Sequence, residues 1–349
     1  MYWHLYIRNS RPCRHHQRGF GIVELMVAMA LGLFLVGGAL SVFVSNQQAY
    51  RTNEQLSRMQ ESGRTAVELM ARKVREAGGS PCGRNLPTAN VINNPSTHWW
   101  ANWGDGIRGY DNNQAADGID FGTAAGDRIQ GTDAVFLMFG NGESGVRIVS
   151  HNPSSAQFKV NTTNHGFYDG EIVMVCNYER AAILQITQAQ LTNTTVVHNT
   201  GASVSPGNCT KGLGTPVANP CDTNGVPYEF KDGVIMRLSS EIWYIGANGR
   251  GGRSLYRARM VVPEATHTPE TVREEIAEGV TDLQMTYLQL GAGGVLPDDY
   301  VDASSVTAWS DVTAARINLT LQSLQSVGTD GAPLQRQMTH VVSLRNRLP

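Results

Sequence analysis

Gln17-Arg18-Gly19-Phe20-Gly21-Ile22-Val23-Glu24-Leu25 joins a basic leader that has no acidic residue to an apolar run with one carboxylate near its start. The run spans 25 residues, Phe20 to Val44, and Glu24 is its only charge. A helix of that length rises roughly 37 Å, enough to cross a hydrocarbon core of about 30 Å with some tilt. A secretory signal has an apolar core of about 7 to 15 residues and is cut behind it, at small residues. Here the pattern is that of a membrane helix whose own N-terminus is made by cutting in front of it. An uncleaved anchor leaves Glu24 unexplained, because a lone carboxylate inside the bilayer costs on the order of 3 kcal/mol.

The leader holds Arg8, Arg11, Arg14 and Arg18 and no acid, while Ser45 to Tyr50, just past the apolar run, is uncharged. Positive residues stay cytoplasmic, so the C-terminal body is expected in the periplasm. Removing residues 1–19 from 349 leaves 330, ample for a core and for one elaborated domain or two lobes. Discarding four arginines lowers the 28 basic residues to 24 against 30 acidic ones, a mature charge of about −6. That balance implies no basic surface, and nucleic acid is not an expected partner.

Of five cysteines, Cys13 leaves with the leader, and Cys82, Cys176, Cys209 and Cys221 remain as an even set. In an oxidising compartment four cysteines permit three connectivities, among which sequence does not choose. The short Gly/Pro/Asn-rich stretch between Cys209 and Cys221 favours that pair, leaving Cys82 with Cys176. No Cys-x-x-Cys or clustered histidine accompanies them, so structural disulfides are expected in preference to zinc.

Beyond the span, apolar positions continue at Leu56, Met59, Gly63, Ala66, Val67, Met70 and Val74, in steps of three and four. The helix is therefore expected to run on as an amphipathic half over residues 45–78, with a stop at Gly78-Gly79-Ser80-Pro81. Residues 79–133 turn to Asn, Gly, Asp and Thr and are expected to form an irregular insertion. Trp99, Trp100 and Trp103 lie close together there and make a candidate recognition loop; such residues more often plug a loop onto its own core. Asp105, Asp111, Asp117, Asp120 and Asp127 raise the idea of calcium, but Asp111-Asn112-Asn113-Gln114-Ala115 lacks the alternating ligands of an EF-hand loop, and no metal is assigned.

Residues 134–349 carry short β-like runs: Ala134 to Phe139, Val146 to Val149, Glu171 to Cys176, Ala182 to Ile186, Glu241 to Ile245, Ser254 to Arg259, Gly279 to Leu290, Ala314 to Gln322 and Gln337 to Leu344. Arg316, Asn318 and Thr320 alternate with Ile317, Leu319 and Leu321, the period of a strand with one buried face. A weak lobe boundary falls near 202–227. One long N-terminal helix followed by sustained antiparallel β-pattern gives an α+β fold. No nucleophile, metal-ligand or phosphate-loop motif stands out, and His98, His151, His165, His198, His267 and His340 are scattered singly, so neither an enzyme nor a cofactor is expected.

Arg18-Gly19-Phe20 followed by an apolar helix with Glu24 at the fifth position resembles the prepilin signal of type IV pilins and type II secretion pseudopilins. Glu241-Ile242-Trp243-Tyr244-Ile245, Ser254-Leu255-Tyr256-Arg257, Gly279-Val280-Thr281-Asp282-Leu283-Gln284-Met285-Thr286-Tyr287, Ala314-Ala315-Arg316-Ile317 and Leu344-Arg345-Asn346-Arg347 look like the PilW family of minor pilins. They are similar, more distantly, to J-type minor pseudopilins. The resemblance implies a pilin-like fold, cleavage between Gly19 and Phe20 by a prepilin peptidase, and N-methylation of Phe20. It implies partners among other minor pilins and the major pilin, engaged through the N-terminal helix with Glu24 in an intersubunit charge pair, and contact with the inner-membrane assembly platform. The expected role is priming of pilus assembly, at the tip, in support of twitching motility and adhesion. A pilin-stem adhesin using the Trp-rich loop and a secretion pseudopilin are the alternatives.

Overall fold

The computed structural model describes residues 19–83, 86–141, 145–201, 203–218, 220–328 and 330–347. The leader arginines and Cys13 lie outside the described residues. One helix, α1, runs unbroken from Ile22–Glu76. By compactness the chain divides into residues 1–54 and 55–349.

In the first unit every described residue from Gly19 to Glu54 belongs to α1 or the three residues before it, and all from Gly19 to Arg51 are exposed. The segment is long and apolar enough to cross a membrane. In the second unit α1 buries Gln55, Met59, Gly63, Ala66, Val67, Met70, Ala71 and Val74. Steps of three and four keep these on one stripe, while Arg58, Glu61, Arg64, Glu68, Arg72 and Arg75 are exposed. Lys73 and Arg75 in the last turn complement the helix dipole. Gly78 ends it in the left-handed region, at φ 66°, with its N–H donated to the Met138 carbonyl at 2.8 Å.

The strands are β1 Thr88–Asn90, β2 Ile107–Tyr110, β3 Ala134–Asn141, β4 Ile148–Asn152, β5 Gln157–Val160, β6 Ile172–Cys176, β7 Ala181–Gln185, β8 Gln188–Ala189, β9 Thr195–Val197, β10 Val234–Ala247, β11 Arg253–Val261, β12 Glu270–Glu278, β13 Val280–Gln289, β14 Val301–Asp302, β15 Val312–Gln322 and β16 Gln335–Ser343. They form three sheets. The largest has the order β1-β7-β6-β10-β11-β12, with β3 on the other edge of β10 and β2 beyond it. Its β1–β7 pair is parallel and the rest antiparallel. A second sheet has the order β14-β13-β15-β16 and a third β4-β5-β9-β8.

The buried stripe of α1 shares one core with Val135, Leu137, Trp243 and Ile245 of the largest sheet and with Leu283, Met285, Ile317, Leu319 and Leu321 of the second. At roughly 1.5–3 kcal/mol per large apolar side chain, this core holds the second half of the helix in place. Gly63 is required by close approach: a Cβ there would lie 2.6 Å from both Leu321 Cδ2 and Met338 Sδ. In β15, Ile317, Leu319 and Leu321 are buried while Arg316, Asn318 and Thr320 are not, as the alternation predicts. The fold is thus α+β and pilin-like.

The stretch 79–133, expected to be irregular, contributes β1 and β2 to the largest sheet. It also buries Ile92, Trp100, Ala101, Tyr110 and Ile119 in a second core with Phe136, Met174 and Tyr244. A third core lies around the third sheet and includes Phe158, Phe167, Val173, Leu184 and Phe230.

Candidate functional site

At the N-terminal end Phe20 and Gly21 precede the first helical residue, and Glu24 stands in the first turn of α1. An acidic residue there complements the positive end of the helix dipole. Phe20 is 85 % exposed, and Ile22, Val23, Leu25 and Met26 are exposed around Glu24. Among the described residues Glu24 has no ion-pair partner. Gly19 is exposed next to Phe20.

Cys82 is bonded to Cys176 and Cys209 to Cys221. The first ties the chain just past α1 to the end of β6, over a separation of 94 residues; the second closes a separation of 12.

The three tryptophans of the candidate loop do not share one face. Trp100 is buried, and its carbonyl accepts the Ser240 hydroxyl at 2.7 Å. Trp103 is half-buried against the same core. Trp99 is half-buried, donates Nε1–H to Thr271 Oγ1 at 3.0 Å and meets the Phe136 ring edge-on at 6.2 Å. Gly118 gives it room, since a Cβ there would lie 2.5 Å from Trp99 Cδ1. Trp309, remote in sequence, lies with Trp99, Tyr110 and Phe136 around one small cavity. Nothing in its surroundings, Thr307-Ala308-Trp309-Ser310-Asp311, marked it beforehand.

What anchors this region is Arg128, which the sequence reading passed over. It is fully buried, and its guanidinium donates to the carbonyls of Gln114 at 2.8 Å, Tyr110 at 3.1 Å, Asn112 at 3.3 Å and Thr132 at 2.6 Å. Burial pulls its pKa down to about 10. Asp133 accepts the N–H groups of Asn112 and Met285 at 2.8 and 2.7 Å, and burial pushes its pKa up to about 6.

Of the Asp-rich run, Asp111 accepts the N–H groups of Ala303 and Ser304 at 2.9 and 2.7 Å, and Asp127 accepts that of Ala124 and faces Arg273 at 3.4 Å. Among the described residues no three His, Cys, Asp or Glu side chains gather in the manner of a metal site.

His151 and His198, 47 residues apart in sequence, are both buried, with Nε2 atoms 3.0 Å apart. His165 is buried too, and its Nδ1 accepts the Phe167 N–H at 3.0 Å. The Phe230 N–H donates to His151 Nδ1 at 3.1 Å, which leaves the His151 proton on Nε2 and makes His198 Nε2 its acceptor. The proton of His198 then sits on Nδ1, which is buried without a partner. Burial drives the pKa of both rings down, that of His151 to about 4.

Two family models match the chain. The prokaryotic N-terminal methylation motif covers residues 14–40, which include Gly19, Phe20 and Glu24. Type IV pilus-assembly protein W covers residues 242–346, from the middle of β10 through β16. The chain is thus similar to type IV pilus-assembly protein W in its C-terminal part and to the N-terminal methylation motif near its start. No curated protein and no solved structure matches it. The PilW match takes in all of the second sheet and most of the strands that pack on α1. The methylation-motif match thus lies on the part of α1 that is long and apolar enough to cross a membrane, and the pilus-assembly match lies on strands that pack against its other half.

Proposed function

We propose that this chain is a minor pilin that helps prime type IV pilus assembly and stays at the pilus tip, supporting twitching motility and adhesion through assembly. In this reading a prepilin peptidase cuts between Gly19 and Phe20, and the new Phe20 amine is methylated. The body sits in the periplasm. Glu24 then pairs with the terminal amine of a neighbouring minor or major pilin, at the inner-membrane assembly platform. The observation that carries the reading is an exposed apolar helix with one carboxylate in its first turn and no partner for it among the described residues. A charge inside the bilayer costs on the order of 3 kcal/mol, so an intersubunit pair answers the cost and fixes the stagger of neighbouring helices.

The test is a pair of variants expressed in the native background. Gly19→Leu is expected to accumulate uncut in the inner membrane and to leave cells without pili. Glu24→Ala is expected to be cut and inserted normally yet to lose co-purification with other pilins. Normal processing of the first variant, or undiminished co-purification of the second, would overturn the proposal.

A further inference from the structure

The cavity shared by Trp99, Tyr110, Phe136 and Trp309 is open to solvent and has a volume of about 130 Å³. Its rim carries Asn102, Arg108 and Asp117, all exposed. Among the described residues the side chains of these three make no hydrogen bond and no ion pair, nor does the Tyr110 hydroxyl. Elsewhere some charged side chains are matched in ion pairs. Arg250 holds Glu275 and Glu278, Arg257 and Arg259 hold Glu274, and Arg237 holds Glu171. A ring of unengaged donors and acceptors around an aromatic hollow, with polar and apolar lining in about equal measure, suits a small ligand that carries both an apolar face and polar groups.

We infer that this hollow binds a single neutral pyranose ring, the terminal sugar of a surface glycan. An aromatic lining receives the apolar C–H face of a sugar ring, while Asp117 accepts hydroxyl protons and Asn102 and Arg108 donate to ring and hydroxyl oxygens. Charge selects against the other occupants of an aromatic hollow. Arg108 lies over the Tyr110 ring at 5.6 Å, so the place a ligand cation would take is already filled by a guanidinium. Asp105 and Asp117, which both line the cavity, repel an anion. The volume is well below the roughly 300–1,000 Å³ of sites that enclose drug-sized ligands, which limits the occupant to one ring. Trp309 comes from the turn before β15 and Trp99 from the 79–133 stretch, so the hollow exists only in the folded head. The inference is independent of the assembly role, since it concerns side chains that take no part in α1.

The test uses the full mature chain in a detergent without a sugar headgroup, because a glycosidic detergent would compete. The probes are the methyl pyranosides of glucose, galactose, mannose and N-acetylglucosamine, titrated by saturation-transfer difference NMR. At least one is expected to bind saturably with a dissociation constant on the order of 1 mM. Asp117→Ala and Arg108→Ala, both at exposed positions without structural bonds, are expected to keep the melting temperature of the parent and to weaken that binding about tenfold or more, the worth of a hydrogen bond to a charged group. Absence of saturable binding by all four probes, or equal binding by the parent and Asp117→Ala, would overturn the inference.

Discussion

Acidification should weaken this protein through the His151–His198 pair, by an amount the geometry fixes. Both rings are neutral in the fold, because burial opposes a charge on either and the two rings stand side by side. In the unfolded chain each histidine protonates near its ordinary value of 6.5. The folded pKa values lie below the unfolded ones, so the unfolded state binds more protons as pH falls. Stability is then full above about pH 6.5 and declines toward pH 4, where His151 begins to take a proton in the fold. At pH 5 each neutral histidine costs about 2 kcal/mol relative to pH 8, or about 4 kcal/mol for the pair. Asp133 acts in the opposite sense. Its pKa is raised from 3.8 to about 6, so the folded state binds its proton first, and protonation returns about 1 kcal/mol at pH 5. The net loss between pH 8 and pH 5 is about 3 kcal/mol from these three groups.

His198→Phe keeps a ring against Phe158, with which His198 stacks at 4.6 Å, and removes one titrating site. It leaves the His151 Nε2–H without an acceptor and lowers stability at every pH by roughly 1–3 kcal/mol. The informative quantity is the change between the two pH values, which should shrink by about 2 kcal/mol. His198→Gln, which supplies an acceptor without titrating, should shrink it equally with a smaller overall loss. Urea unfolding in detergent, followed by far-ultraviolet circular dichroism at pH 8 and pH 5, measures all three proteins. Contributions from Asp133, Glu171 and Glu241 are common to them and cancel. If parent and both variants lose the same stability on acidification, the buried neutral pair is not the source of the effect.

Arg128→Leu removes the donors from four carbonyls and should destabilise by about 3–5 kcal/mol, with loss of native tryptophan fluorescence as the region of Trp99 and Trp100 loosens; a normal spectrum and melting temperature would refute the anchoring role. Gly63→Leu forces a branched side chain into space held by Leu321 and Met338 and should cost at least about 1–3 kcal/mol, whereas Gly38→Leu, with nothing near it, should leave the melting temperature of the head unchanged. Cys82→Ala with Cys176→Ala should lower stability more than Cys209→Ala with Cys221→Ala. Loop-closure entropy gives about 4–5 kcal/mol for the longer separation and about 3 kcal/mol for the shorter, and calorimetry of the two double variants would expose a reversed order.

The long helix and the apolar-alternating strands were legible because their periods are written in side-chain polarity. The stripe from Met59 to Val74 and the alternation from Arg316 to Leu321 each name one buried face. β12 was not legible, since Glu270–Glu278 carries five charges in nine residues. It forms an edge strand by pairing with β11, where Arg257 and Arg259 meet Glu274, so its polarity is satisfied across strands and not by burial. β1 and β2 were missed because they are short, three and four residues, and border Pro87 and Gly106. Of the site residues, Glu24 was conspicuous as the one charge in an apolar run. His151–His198, Arg128 and Trp309 acquire meaning only from neighbours tens of residues away, and no local period encodes such a meeting.

The PilW match begins at Ile242 and ends at Asn346, and within those bounds lie Leu283, Met285, Ile317, Leu319 and Leu321, the side chains that share a core with α1. Residues 79–233 lie outside it and contribute β1 to β9, both disulfides, the histidine pair and three of the four aromatic residues of the cavity. Holding a pilin helix demands a fixed apolar face, which constrains residue type at many positions and is what a family pattern can register. A ligand hollow demands a few side chains at loop positions, which constrains little else. The one cavity residue inside the matched region, Trp309, also packs edge-on at 4.9 Å against Tyr287 of the α1 core. A substitution there should therefore be felt twice. Trp309→Ala is expected to lower the melting temperature of the head as well as to abolish pyranoside binding, whereas Asp117→Ala should affect binding alone. If Trp309→Ala bound the sugar as the parent does while melting lower, the ring would belong to the helix platform only, and the hollow would rest on Trp99, Tyr110 and Phe136.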